Sequence, residues 1–529
     1  MRQWNFILLR FWQTILQDLS CRRDNMVKKI KSVALEKTGG TEVDIEADVS
    51  CGLPYFNIVG FADISAKEAS ERVKRAILNS GFEYPKSRVT VNLTPAYLHK
   101  KGSHFDLGIA IGILCASGVI SDKTAGRVFI GELSFDGEVL PVKRLIPMLT
   151  AVMSDDNVKE IIASEANCKE AFLITSSSDK KLICVKSLKE AAEYINGNDK
   201  APYSSIYENY EEQIIDDFED VRGHEEVKEA IMTAVAGEHN ILMIGSPGTG
   251  KTMIAKRIPG ILPPMSREEQ IETTALYSYA DRLTDKEPVM LRRPFRHVST
   301  GVTVKALIGG GRIPIPGEVS LADKGVLFID EMLELPANIL EALREPLEER
   351  KAVISRSSGS VVFPADFLLV GAANPCRCGY LGDKIHECTC SQSEIIRYRN
   401  KLSGALADRI DICIEILRTD YENLKGKKGL TSADMKDIIS EVRDIQMKRG
   451  CINGLMTDRQ VKEFCILNDE GEAFLKSAYR SMGISPRRYC KILKVARTIA
   501  DFRKRNLIGV SELAAAAHYT RFLKGGRIM

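Results

Sequence analysis

Gly245-Ser246-Pro247-Gly248-Thr249-Gly250-Lys251-Thr252 fits the spacing GxxxxGK[ST], and the chemistry of that spacing is the binding of a polyphosphate. Glycines let backbone N–H groups curl around phosphate oxygens in φ/ψ regions that a Cβ forbids. A helix expected from about Lys251 points its positive dipole end at the same anion. In that arrangement Lys251 neutralises the β- and γ-phosphates and Thr252 ligates Mg²⁺. Further along, the apolar run Gly325-Val326-Leu327-Phe328-Ile329 ends in Asp330-Glu331. Two carboxylates at the tip of a buried parallel strand lie where such sheets take ligands. Asp330 is the expected holder of Mg²⁺, directly or through water, and Glu331 the expected general base that polarises an attacking water. The plain alternatives are a Gly-rich turn and a strand that merely ends in acid, and the pairing of the two motifs weighs against both. Phe367 to Ala373 is another apolar strand run, ending at Asn374, which either orients the lytic water or makes a turn before Pro375. No NKxD-type guanine signature is present, so ATP is the expected nucleotide.

These residues need a parallel sheet to hold them. Asn240 to Ile244 reads as the strand that feeds the Gly-rich loop, and short apolar strands alternate with helical segments over 216–419, as in a sheet covered by helices. From about Asp420 to 529 the apolar spacing is helical throughout, which implies a C-terminal helical domain. Before the core, residues 197–215 are polar, turn-rich and locally acidic, the expected linker. Residues 26–196 are mixed: Val43 to Val49 alternates as a half-buried strand does, Ser65 to Leu78 has helical spacing stopped by Gly81, Arg88 to Leu93 reads as a strand, and Leu107 to Ala116 as a buried helix. Residues 1–25 hold both tryptophans, Trp4 and Trp12, and lack the small-residue cleavage site of a signal peptide. They read as a short amphipathic appendage or as an early start assignment, with Met26 the true start.

A chain of 529 residues is too long for one core and implies roughly two to four domains. The net charge of +3 makes the whole molecule neither a polyanion binder nor an acidic solvator, so any basic surface must be local. One local excess exists: 481–529 carries eleven Lys/Arg against two Asp/Glu, either a DNA-phosphate face or a solvated helical face with nucleotide-sensing arginines. No run of eighteen apolar residues suggests a membrane span. The thirteen cysteines are an odd number, which argues against a disulfide framework, and Cys115, Cys184 and Cys413 sit in apolar runs as small buried hydrophobes of a reducing compartment, the cytoplasm. Cys376, Cys378, Cys388 and Cys390 differ. They form CxC-x9-CxC within the insert 376–390, either a tetrahedral Zn²⁺ site or four free thiols on a loop with His386 as an alternate ligand.

The stretches Ala306-Leu307-Ile308-Gly309-Gly310-Gly311, Pro316 to Ala322, the Asp330/Glu331 strand, Leu343-Arg344-Glu345-Pro346-Leu347-Glu348, Ser403 to Asp411 and Val495 to Asp501 resemble the magnesium-chelatase-like AAA+ group, and within it the ComM/YifB family. The N-terminal runs Gly52-Leu53-Pro54, Ile58-Val59-Gly60 and Val91 to Ala96 continue the resemblance, which covers about 26 to 525. It implies an α/β fold with a P-loop AAA+ core, an N-terminal α+β domain similar to ribosomal S5 and the Lon protease, and a C-terminal helical lid. It further implies that Arg409 is an arginine finger acting on ATP of the neighbouring subunit, that Arg487, or Arg488 by a shift of register, touches the γ-phosphate in cis, and that the assembly is a homo-hexamer. Arg296-His297-Val298 departs from the His-His pair that family members often carry.

The activity so implied is an ATP- and Mg²⁺-dependent motor of helicase or branch-migration type on DNA recombination intermediates, as in natural transformation. A magnesium-chelatase motor subunit is the alternative, and the fused N-terminal domain weighs against it. A Lon-like protease needs a Ser nucleophile and a Lys base. Phe105 stands at the nucleophile position, with Ser103 nearby and Lys143 the one candidate partner. A non-enzymatic scaffold is disfavoured by intact Lys251, Asp330 and Glu331.

Overall fold

The computed structural model describes residues 27–36, 39–60, 64–98, 100, 102–204, 216–284, 286–356, 359–383, 385–418, 429–482 and 485–520. Residues 1–25 and most of the expected linker, 205–215, lie outside them. The chain forms two compact units, Met1–Glu208 with Thr274–Met290, and Asn209–Thr273 with Leu291–Met529. The segment 274–290, which the sequence pattern puts inside the ATPase core, thus belongs to the first unit.

The first unit is built on a seven-stranded mixed sheet. Its strands are β1 (Lys28–Glu36), β2 (Gly39–Ser50), β3 (Tyr55–Val59), β4 (Arg88–Thr94), β5 (Arg127–Ile130), β6 (Glu160–Ser164) and β7 (Lys181–Val185). Their order is β3-β4-β2-β1-β5-β6-β7. Val43, Ile45 and Ala47 of β2 turn inward at every second position, as the alternating pattern requires. Five helices accompany the sheet: α1 (Ile64–Asn79), α2 (Asp106–Ala116), α3 (Leu145–Met153), α4 (Cys168–Thr175) and α5 (Leu188–Asn196). Helix α2 is buried on every side, and Gly108 brings it against the sheet: a Cβ there would meet Ile45 Cδ1 at 2.6 Å. Cys115 is a free, buried thiol, but Cys184 is not. It is bonded to Cys168, because α4 packs on β7 with the two Cα atoms 6.2 Å apart, inside disulfide reach.

The second unit holds a five-stranded, wholly parallel sheet. Its strands are β8 (Ile241–Ile244), β9 (Phe295–Val298), β10 (Val326–Ile329), β11 (Leu368–Ala373) and β12 (Ile412–Glu415), in the order β9-β10-β11-β8-β12. Every residue of β8, β10 and β11 is buried, which is why these strands read as unbroken apolar runs. Helices α6 (Glu225–Gly237) and α7 (Lys251–Arg257) flank β8 in the chain. Beyond the sheet follow α8 (Ser432–Arg449), α9 (Asp458–Phe464), α10 (Asp469–Met482), α11 (Pro486–Phe502) and α12 (Val510–Thr520). Thr431 and Asp434 form a capping box on α8, and Ser485 with Pro486 opens α11. Met435 and Ile439 of α8 and Ile492 and Ala496 of α11 share one core with Ile231, Met243, Val370 and Ile412, so the C-terminal helices pack directly on the strands that carry the site.

Candidate functional site

Strand β8 ends where β11 hands it on: Gly245 N donates to Ala373 O at 3.1 Å. The chain then turns through Gly248 (φ +80°) and Gly250 (φ +88°), conformations in which a Cβ is costly, and enters α7 at Lys251. Thr249 Oγ1 donates to Ser246 O at 2.9 Å and holds the loop's curl. Lys251 Nζ donates to Gly245 O (2.5 Å), Ser246 O (3.0 Å) and Asn374 Oδ1 (3.3 Å). Burial pulls its pKa below the usual lysine value, and the charges of Asp330 and Glu331 work against that pull.

The neighbouring strand tips converge on the same place. Thr252 Oγ1 donates to Asp330 Oδ2 at 2.7 Å. A hydroxyl and a carboxylate meeting at one point are the hard oxygen donors that Mg²⁺ prefers, so the residues present fit that ion. Asn374 follows β11 and meets Lys251 directly. Glu331 is exposed, its N–H donates to Asp330 Oδ1 at 3.0 Å, and its φ of +49° is left-handed. A non-glycine residue there costs about 1–3 kcal/mol, and such strain gathers at functional sites. Nothing in the sequence signals it.

Arg409 and Arg487 stand apart from the phosphate loop in their own hydrogen bonding. Arg409 pairs with Glu348 at 2.6 Å, rather than with Asp408 or Asp411, and its guanidinium holds the Glu348 carboxyl below the usual range. Arg487 is largely exposed and lies 3.6 Å from Asp408. Arg488, the other register, is buried and donates to Thr520 O at 2.7 Å. Arg296 is bound by Glu318 at 2.6 Å, and His297 stacks on Phe328.

The basic C-terminal stretch looks different in three dimensions. Arg497 is buried against Asp501 and the carbonyls of Asn506 and Arg505. Arg503 and Arg505 both pair with Glu512, and Lys491 donates to Ile410 O at 2.6 Å. These four side chains are therefore engaged by acceptors of the second unit, which neither the DNA-face nor the solvated-face expectation foresaw. Residues 521–529 lie outside the described residues.

The four clustered cysteines come together. Cys376 Sγ lies 3.3 Å from Cys378 Sγ and 3.7 Å from Cys388 Sγ, and all four sulfurs lie within 4.8 Å of one another. His386 is not among them. It packs at a tilt against the Tyr380 ring and sits 3.6 Å from Asp383. Sequence reasoning missed what this loop touches. Gly379 (φ +86°) faces Pro247, where a Cβ would meet Pro247 Cδ at 2.9 Å, and Arg418 bridges Asp383 at 3.0 Å to Pro247 O at 3.5 Å.

In the first unit the peptidase constellation does not form. Phe105 precedes α2 and is buried, Ser103 Oγ donates to Glu132, and Lys143 is exposed. The buried cation nearby is Lys100, which sequence reasoning passed over. It donates to Gly60 O (3.2 Å), Leu98 O (3.4 Å) and Pro95 O.

Comparison with known proteins places this geometry. Family models described as magnesium chelatase subunit ChlI match residues 217–424 and 45–167, and the ChlI C-terminal model matches 429–520. The competence protein ComM of Haemophilus influenzae is 39% identical over 91% of this chain and 95% of its own length. The chain belongs to the ComM/YifB family of magnesium-chelatase-like AAA+ ATPases. YifB of Escherichia coli is 36% identical over 90% of this chain and 94% of its own length. The 38 kDa magnesium-chelatase subunit of Cereibacter sphaeroides is 28% identical over 30% of this chain and 52% of its own. The likeness to ComM and YifB thus runs nearly the full length of the chain, whereas that to the 38 kDa chelatase subunit covers 30% of it.

Proposed function

We propose that this ATPase is a homo-hexameric motor that moves along DNA, of the helicase or branch-migration type, and acts on recombination intermediates such as those of natural transformation. The observation that carries the hydrolytic half is the 2.7 Å contact between Thr252 and Asp330 beside Lys251. The DNA half rests on the near full-length likeness to a protein named for competence. Among the described residues no helix is long and apolar enough to cross a membrane, and we assign the motor to the cytoplasm.

In this reading the N–H groups of Gly248 to Thr252 and the Lys251 ammonium cradle the β- and γ-phosphates of ATP. Mg²⁺ bound by Thr252 and Asp330 offsets the charge that builds on the transferring group. Glu331 takes the proton of the attacking water while Asn374 orients that water. Arg409 reaches the γ-phosphate of the neighbouring subunit once it leaves Glu348, and Arg487 reaches the γ-phosphate in cis. Cys376, Cys378, Cys388 and Cys390 hold Zn²⁺: their spacing fits the edge of about 3.8 Å that follows from Zn–S bonds of about 2.3 Å in a tetrahedron.

The chelatase-motor reading ranks second, because the chelatase subunits are 28% identical over 30% and 36% of the chain, against 39% over 91% for ComM. The test is branch migration of a synthetic four-way junction by wild type, Lys251→Ala and Glu331→Gln, with DNA-stimulated ATP hydrolysis measured alongside. Strand movement by wild type alone is expected. An ATPase-competent wild type that leaves the junction intact removes the DNA role, and activity equal in all three removes the mechanism.

A further inference from the structure

The four-cysteine loop is not an isolated appendage. It begins two residues after Asn374, the side chain that meets Lys251, and Cys376 is fully buried. From there the chain does three things beside the phosphate loop. Gly379, in a left-handed conformation that its own N–H to Cys376 O bond (3.0 Å) helps fix, lies flush on Pro247. Asp383 is fastened within the cysteine loop by the N–H groups of Ile385 (2.8 Å) and His386 (3.0 Å). The Asp383 carboxylate also reaches outward, 3.0 Å from Arg418, which donates onward to Pro247 O at 3.5 Å. Ser246 and Pro247 are the second and third residues of the phosphate loop, and Ser246 O is one of the acceptors that hold Lys251.

A loop of this composition has little to keep its shape on its own. Between Cys376 and Cys390 no helix or strand forms among the described residues, and Cys378, Cys388 and Cys390 are part-exposed. What fixes its two ends is the convergence of the four sulfurs.

We propose that the tetrathiolate site is a metal-dependent brace: a Zn²⁺-class ion held by Cys376, Cys378, Cys388 and Cys390 keeps Gly379, and Asp383 through Arg418, seated on Pro247, so that nucleotide affinity depends on metal occupancy some residues away from the phosphates. This rests on the ATP-binding reading above and adds a control to it. Removal of the metal by a chelator loosens the loop, releases Pro247, and weakens ATP binding without touching Lys251, Thr252 or Asp330. Gly379 and Asp383 are positioning residues in this scheme, acting through the phosphate loop.

The test uses the full-length protein. Metal content is measured by mass spectrometry, and a fluorescent ATP analogue is titrated in excess Mg²⁺, for protein as purified, protein stripped of zinc by a chelator, stripped protein reloaded with Zn²⁺, Gly379→Ala, and Cys388→Ser with Cys390→Ser. We expect one zinc per chain in wild type and in Gly379→Ala and none in the double variant. Stripping weakens nucleotide binding about tenfold, the scale on which supporting residues act on a site, and reloading restores it in wild type alone. Gly379→Ala, which keeps all four thiols, binds nucleotide more weakly with its zinc in place, and answers the question even where stripped protein unfolds. Stripped protein that binds as reloaded protein does, or Gly379→Ala that binds as wild type does, overturns the brace. So does wild type that holds no zinc after loading. A zinc-loaded wild type that binds no nucleotide at all is a different failure, since it removes the ATP reading and the brace with it.

Discussion

Lys251 and Lys100 are held in nearly the same way and do different things. Each ammonium donates to three oxygens, and burial lowers the pKa of each. Lys100 is 2% exposed, its acceptors are all backbone carbonyls, and burial alone lowers its pKa. Its charge is consumed in closing a loop. Lys251 is part-exposed, lies at the N-terminus of α7 after two left-handed glycines, and has Asp330 and Glu331 within electrostatic reach. Desolvated cations alone do not make a site. What separates the two is an open side at Lys251 with carboxylates beside it, where under the proposed reading an anion would displace carbonyl acceptors and Asp330 would hold the metal the anion brings.

The comparison breaks most visibly at its acidic side. Glu331→Gln keeps the shape of the site and removes the base. Hydrolysis is expected to fall about 10²–10⁴-fold with nucleotide binding retained, measured by phosphate release and by titration of a fluorescent ATP analogue. Hydrolysis that persists at the wild-type rate assigns the base elsewhere.

At the lysines the two halves separate. Lys251→Ala is expected to lower kcat/KM for ATP about 10²–10³-fold, with little change in the denaturant midpoint. Lys100→Met is expected to do the reverse. Three carbonyls lose their donor, stability falls by about 1–3 kcal/mol, and the folded fraction hydrolyses ATP as before. A Lys100→Met protein with a normal midpoint and impaired hydrolysis would make the two lysines equivalents after all.

The open site was legible because its signals are local. The Gly-rich loop, the buried strands behind it and the acid at their tips are contiguous runs, and β8, β10 and β11 lie where their apolar stretches place them. The pairings that were not legible join distant parts of the chain. Pro247 meets Gly379, and Asp383 meets Arg418, through topology alone. Cys184 reads as a lone apolar thiol until α4 sets Cys168 beside it. The basic C-terminus reads as a surface because charge counts ignore acceptors: Arg497 donates to the carbonyls of Asn506 and Arg505, and Arg488 to that of Thr520, and carbonyls leave no trace in composition. The membership of 274–290 in the first unit is likewise a fact of packing that periodicity does not carry.

The same contrast between open and closed charge can be sharpened with two carboxylates of the second unit, at a smaller expected effect. Asp330 shares its carboxylate with Thr252 in the site. Asp323 is 1% exposed: one oxygen accepts from Asp366 N at 2.7 Å, and the other has no hydrogen-bond partner among the described residues. Burial, above all, raises its pKa from the ordinary 3.8 to about 6, against the pull of the Asp366 N–H and the Lys324 charge. Below the unfolded value both states are protonated and the carboxyl costs nothing extra. Between about pH 4 and 6 the native state binds more protons than the unfolded chain, so its stability falls as pH rises, and above that the full cost of a buried charge is present. Two pH units correspond to at most about 3 kcal/mol, and relaxation leaves about 1–2 kcal/mol. Asp323→Asn removes the titration while its amide oxygen still accepts from Asp366 N. The variant is therefore expected to be the more stable at pH 7, with an advantage that shrinks as pH drops towards 4, read as the difference between the two denaturant midpoints. Asp106 and Glu170, whose pKa values burial also raises, are common to both proteins and cancel in that difference. An advantage that stays constant from pH 4 to 7 would mean that Asp323 does not change charge in this window, and that its unpartnered oxygen is tolerated as a carboxylate.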